Sequence, residues 1–163
     1  MTLTTVEAAL ETELELVLDA DATPAVLGTA KVSFANWKIL AAGPYQAIII
    51  QSSGFANEII AFGDESEISW RWTLHLCTRY LDDAQAAAKE AVFVQNVFTQ
   101  LSTYPKLHNA ANIKDSMVVG GATNPIGPGQ GVSSPLIEVG SGHYKVYQIN
   151  FVIAEYQAFT IAG

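Results

Sequence analysis

The sequence predicts a two-layer α+β domain: a mainly antiparallel sheet with two helices packed on one face, in the order α-β-β-β-α-β-β. Three observations carry this expectation. Residues 67–80 alternate strictly between apolar and polar over a full fourteen positions, which is a period-two strand signal. That strand runs directly into an amphipathic, alanine-rich helix that can cover its greasy face. A short acidic helix opens the chain. The 163 residues are close to the size of one domain, and a single domain over 1–163 is expected.

The elements follow in order. Thr4-Thr5-Val6-Glu7 reads as a capping box, in which hydroxyl and carboxylate satisfy free amide donors reciprocally. Leu10, Leu14, Val17 and Leu18 form one apolar stripe behind it. Pro24 and Gly28 mark a connection. Strands are expected at Lys31–Phe34, at Tyr45–Gln51 after the Gly43-Pro44 turn, and at Glu58–Phe62, with Ser52-Ser53-Gly54 breaking the last two apart. In the long strand Ile68, Trp70, Trp72, Leu74 and Leu76 share one face. Arg71, Thr73, His75, Cys77 and Arg79 share the other.

The second helix begins at Asp82 or Asp83, presents Ala87, Ala91, Val94, Phe98 and Leu101, and closes at Tyr104-Pro105, since the residue before proline resists the helical region. Met117–Val119 and Leu136–Val139 read as short strands. Gly120–Ser134 holds five glycines and two prolines in fifteen residues and reads as a mobile interaction loop. Tyr144–Phe159 is a second long strand, and the Ser141-Gly142 turn suggests a hairpin between it and Leu136–Val139.

Charge narrows the function classes. The net charge is −8, and residues 1–30 hold six acids with no lysine or arginine, leaving −2 for the rest. Such a chain is a poor candidate for gripping nucleic acid, because phosphate affinity depends on basic side chains. Charged residues are only 15% of the chain, below the usual value of about 25%, which argues for a surface covered by further copies. One cysteine, Cys77, excludes an internal disulfide. The first residues lack a basic and an apolar leader region, and Ala47–Ile50 is too short to cross a bilayer. An intracellular protein with no membrane partner is expected.

Chemistry-bearing motifs are thin, and no enzyme, cofactor or metal is expected. His75 and Cys77 could reach one ion from a strand face, but zinc needs three or four ligands, and His108 and His143 lie far off in sequence. A thiol nucleophile at Cys77 lacks a local signature. The paired acids Asp64-Glu65 and Asp82-Asp83 are sequence neighbours, not carboxylates held across a cleft. The glycine-rich run has no Lys-Ser/Thr ending and does not open a helix, as a phosphate cradle would. Trp70 and Trp72 point away from Arg71, so burial outweighs base stacking.

Taken together, the capped acidic helix, the strand Ser66–Leu76, its passage through Tyr80-Leu81-Asp82-Asp83-Ala84 into a helix ending Leu101–Pro105, the glycine-rich stretch and the strand Tyr144–Tyr156 resemble the tail terminator, or tail completion, subunits of long-tailed bacteriophages. The likeness covers nearly the whole chain and lies in element order, since the family has no diagnostic short motif. It implies a hexameric ring at the head-proximal end of the tail tube, in the virion neck, assembled in the host cytoplasm. That ring would end tube polymerisation and join the tail to the head-completion proteins, with DNA passing through unbound. Arg71, Thr73, His75 and Arg79, with Asn124, Pro125, Ile126 and Pro128 of the loop, are then candidates for contacts with a neighbour or the tube protein. Glu7, Glu11 and Glu15 are candidates for an acidic lumen, which DNA would slide past. Another neck or head–tail connector subunit is the rival within the class. A small-ligand binder with a helix-on-sheet fold is the rival outside it, with His75 and Arg79 as its few polar groups.

Overall fold

In a computed structural model of the chain, residues 3–18, 31–34, 36–59, 65–79, 83–104, 107, 113–120, 124–125, 132–133, 137–140 and 142–158 are described. The α+β class is as expected: helices on a mainly antiparallel sheet.

Helix α1 spans Leu3–Glu15, within one residue of the expected start. Leu10, Leu14 and Val17 are buried along it, and Leu18 packs beside them. Strand β1 (Lys31–Phe34) lies parallel to Ala47–Ile50 of β2 (Gln46–Ile59). Between them sits a 3-10 helix, Trp37–Ala42, that the apolar pattern does not announce. Its ends are chemically marked. Asn36 Oδ1 accepts from the Lys38 amide at 3.2 Å, and Gly43 closes the helix at φ 72°, donating its amide to the Leu40 carbonyl at 3.0 Å. A left-handed residue after a helix is the usual glycine position.

Strand β2 is one strand where two were expected. Ser52-Ser53-Gly54 is a bulge, not a break, because the register with β3 shifts there and then resumes. An extra residue in one strand bends it without ending the ladder. Strand β3 (Glu65–Arg79) pairs antiparallel with β2 and with the last long strand, and passes into α2 (Asp83–Thr103).

Beyond α2 come β4 (Ile113–Gly120), β5 (Asn124–Pro125), β6 (Val132–Ser133), β7 (Ile137–Val139) and β8 (Gly142–Ala158). The sheet runs β1-β2-β3-β8-β4-β5, with β6 and β7 also paired to β8. The expected hairpin is present, Ile137 opposite Tyr144 and Val139 opposite Gly142. Two stretches of the glycine-rich segment, β5 and β6, pair with β4 and β8, so that segment is partly sheet and not loop throughout.

Both helices lie on one face. Leu10, Leu14 and Val17 of α1 and Phe93, Val97 and Leu101 of α2 meet Ile48, Ile50, Trp72, Leu74, Leu76, Ile149 and Ile153 in one core. The buried stripe of α2 is therefore Phe93-Val97-Leu101. The expected Val94 and Phe98 flank it half-buried, and Ala91 is exposed. Trp70 packs against the core from its margin. Glu13 is 2% exposed and accepts from Gln100 Nε2, which ties the two helices together above the sheet.

Candidate functional site

The second face of the sheet carries the residues singled out on β3. Its near end is a closed apolar patch. Leu40 of the 3-10 helix meets Ala47, Ile49, Cys77, Tyr144 and Val146. The Tyr144 hydroxyl lies 3.1 Å from the Leu40 carbonyl and 3.0 Å from that of Pro44, so one phenolic hydrogen is shared between the two ends of the turn. Burial raises the Tyr144 pKa, which keeps that hydrogen in place. Arg79 Nη1 donates to the Gly43 carbonyl at 3.3 Å, so its guanidinium turns toward the 3-10 helix.

Cys77 is buried, with its Sγ 3.7 Å from the His75 carbonyl. Burial pushes its pKa up to about 12. A thiol so rarely ionised is a poor nucleophile and a poor metal ligand.

Past this patch the face turns polar, with uncharged side chains around His75 and Thr73 and Arg71 beyond them. His75 Nε2 sits 3.1 Å from Gln51 Oε1. The Trp37 ring meets the His75 ring edge to face, with centroids 4.7 Å apart. Thr73 Oγ1 donates to Asn150 Oδ1 at 3.3 Å. Burial lowers the His75 pKa, so the imidazole is neutral at pH 7. Gln51 and Gln148 are exposed, and Trp37 keeps 36% of its surface in solvent.

The structure thus gathers Thr73 and His75 with Gln51, Asn150 and Trp37, while Arg79 lies at the near end against Gly43. Thr73 and His75 are themselves buried, and Arg71 is half-buried farther along β3. Asn124 and Pro125 are not on this strand's surroundings: they form β5, at the sheet edge beyond β8 and β4. Ile126 and Pro128 lie outside the described residues. Glu7 and Glu11 are half-buried and Glu15 is exposed on α1, across the sheet from His75.

Trp37, Gln51, Gln148 and Asn150 are the residues that sequence reasoning left out. Gln148 and Asn150 alternate with Tyr147 and Ile149, and that alternation is the signal that could have placed them here. Among the described residues no group of three or more His, Cys, Asp or Glu could hold a metal ion. Among the described residues the side-chain contacts of His75 are with Gln51 and Trp37. No helix among the described residues is long and apolar enough to cross a membrane. No protein-family model and no curated protein matches the chain.

Proposed function

We propose that the chain is a structural virion subunit, a tail-terminator-like protein that forms a ring at the head-proximal end of a phage tail tube, ends tube polymerisation and joins tail to head. The observation that carries the reading is the asymmetry of the sheet. Both helices cover one face, while the second presents a neutral polar belt of Gln51, Thr73, His75, Gln148 and Asn150 beside a half-exposed tryptophan. An interface core depleted in charge, with an aromatic anchor, is the usual make-up of a contact between proteins. Low overall charge and the order of helices and strands point the same way.

In this reading Arg71, Thr73, His75 and Arg79 belong to a contact with the neighbouring subunit, and the segment holding Asn124, Pro125, Ile126 and Pro128 reaches a neighbour or the tube protein. The acids Glu7, Glu11 and Glu15 face DNA in transit, which an acidic lining repels. The partners are five further copies, the tail tube protein and a head-completion or neck protein. The chain performs no chemistry and carries no cofactor.

Native mass measurement and negative-stain imaging test the proposal. Six-fold rings are expected, either of the protein alone or once tail tube is added. A monomer under both conditions would overturn it.

A further inference from the structure

His75 can change its charge near neutral pH, yet only 9% of its surface is in solvent. Among the described residues its ring meets two groups. Gln51 Oε1 lies 3.1 Å from Nε2, and the Trp37 ring stands edge to face with it, centroids 4.7 Å apart. A neutral imidazole needs one hydrogen-bond acceptor, and a protonated one needs two. Gln51 Oε1 supplies one.

Among the described residues no carboxylate faces the ring. Its neighbours on the same face of β3 are Thr73 and Cys77, and the next charged groups along the strand are Arg71 and Arg79, each about 13 Å away in an extended chain. Strand β2 sets Ile49 opposite His75 and Gln51 one row on, and β8 sets Gln148 opposite and Asn150 one row on. Strand β6 adds Val132 and Ser133 beside β8, both uncharged. The 3-10 helix brings Trp37 and, next to it, the exposed Lys38. The described charges around His75 are thus all positive. A buried charge with no opposite partner is costly, and burial does hold this imidazole below its usual pKa.

The helix that carries Trp37 is fixed at its other end. Leu40 is fully buried in the apolar patch. The Tyr144 hydroxyl reaches the Leu40 and Pro44 carbonyls, and Arg79 holds the Gly43 carbonyl. Trp37 lies three residues before this anchor and already keeps 36% of its surface in solvent.

We infer that His75 and Trp37 form an acid-released latch: on taking up a proton the imidazole turns out to water, and Trp37 comes off the sheet while Leu40 to Pro44 stay docked. Trp37 moves because it lies against the ring that must gain water. The anchor holds because the contacts of Tyr144 and Arg79 do not involve His75. The latch belongs to the single chain and stands or falls apart from the ring reading.

Fluorine NMR on the full chain, with its three tryptophans replaced by 5-fluorotryptophan, tests this between pH 7.5 and 5. The Trp37 signal, assigned from Trp37→Phe, should move to the position of solvent-exposed tryptophan. Its midpoint should match that of the His75 ring protons and lie below the usual 6.5. The signals of Trp70 and Trp72 and the amides of Leu40 and Gly43 should stay in place. In His75→Gln the Trp37 signal should no longer respond to pH. A His75 midpoint at or above 6.5 would mean that the charged ring stays against Trp37 as a cation on an aromatic, and would overturn the latch. So would a still Trp37 signal while His75 titrates, a Trp37 response that survives in His75→Gln, or all three tryptophans moving together, which reports loss of the fold.

Discussion

The two faces of the sheet are built from the same strands by different physics. On the helix side Trp72, Leu74, Leu76, Ile48 and Ile50 meet two helices, and burial of apolar area holds the layers together. On the other side, among the described residues, a six-residue 3-10 helix covers the near end and sets Trp37 against His75. What holds it is a small apolar patch plus directional contacts from Tyr144 and Arg79. The lesson is that alternation in β3 tells which residues share a face but not what each face is for. A face that buries mainly apolar groups under two helices is spent on folding. A face that mixes a lid, neutral amides and an exposed tryptophan retains surface for a partner.

The sharpest way to break this contrast is at Trp72. Trp72→Ala should lower stability by about 3–5 kcal/mol, through lost burial and an unfilled cavity, and should be read by urea denaturation. Trp72→Phe should cost much less, because among the described residues the buried indole N–H has no hydrogen-bond partner to lose.

Tyr144 probes the other side. Tyr144→Phe keeps the ring and removes the hydroxyl. The Leu40 carbonyl still has the Gly43 amide, so the Pro44 carbonyl bears most of the loss. A cost of about 1–2 kcal/mol is expected, with the two glutamine-flanked strands left intact by hydrogen exchange.

The smallest effect belongs to His75. Burial holds its pKa below the usual 6.5, so the folded form binds that proton less readily than the unfolded chain. The stability this contributes is full above about pH 6.5 and is lost as pH falls through the lowered folded value. Urea midpoints taken from pH 7.5 down to 5 should therefore fall more steeply for the native chain than for His75→Gln. An equal slope in both would show that the imidazole is not shielded.

Much of the architecture was legible because β3 and β8 are long enough for period two to be unambiguous. The helix α2 was legible in extent but not in rotation. Ala91 to Val94 and then Val97-Phe98 are apolar around more than half the helix, so both the Ala87-Ala91-Val94-Phe98 stripe and the Phe93-Val97-Leu101 stripe satisfy the pattern. Only packing against the sheet chooses between them. The 3-10 helix was missed because six residues are too few for periodicity, although Asn36 and Gly43 mark its ends. The strands β5 and β6 were missed because glycine content records local freedom and not the backbone pairing that β4 and β8 offer. In the candidate site, parity grouped Thr73, His75 and Arg79 correctly on one face. It could not tell that the Gly43 carbonyl would claim Arg79, or that Trp37 would come to rest against His75.

The burial of Cys77 has a practical side. Its thiol is held almost wholly protonated at neutral pH by a pKa pushed up to about 12 and is enclosed by the Leu40 patch, so alkylating reagents have neither a thiolate to attack nor a path to it. A single cysteine introduced on the surface would thus be the only reactive one, and spectroscopic probes could be attached site by site without first removing the native thiol.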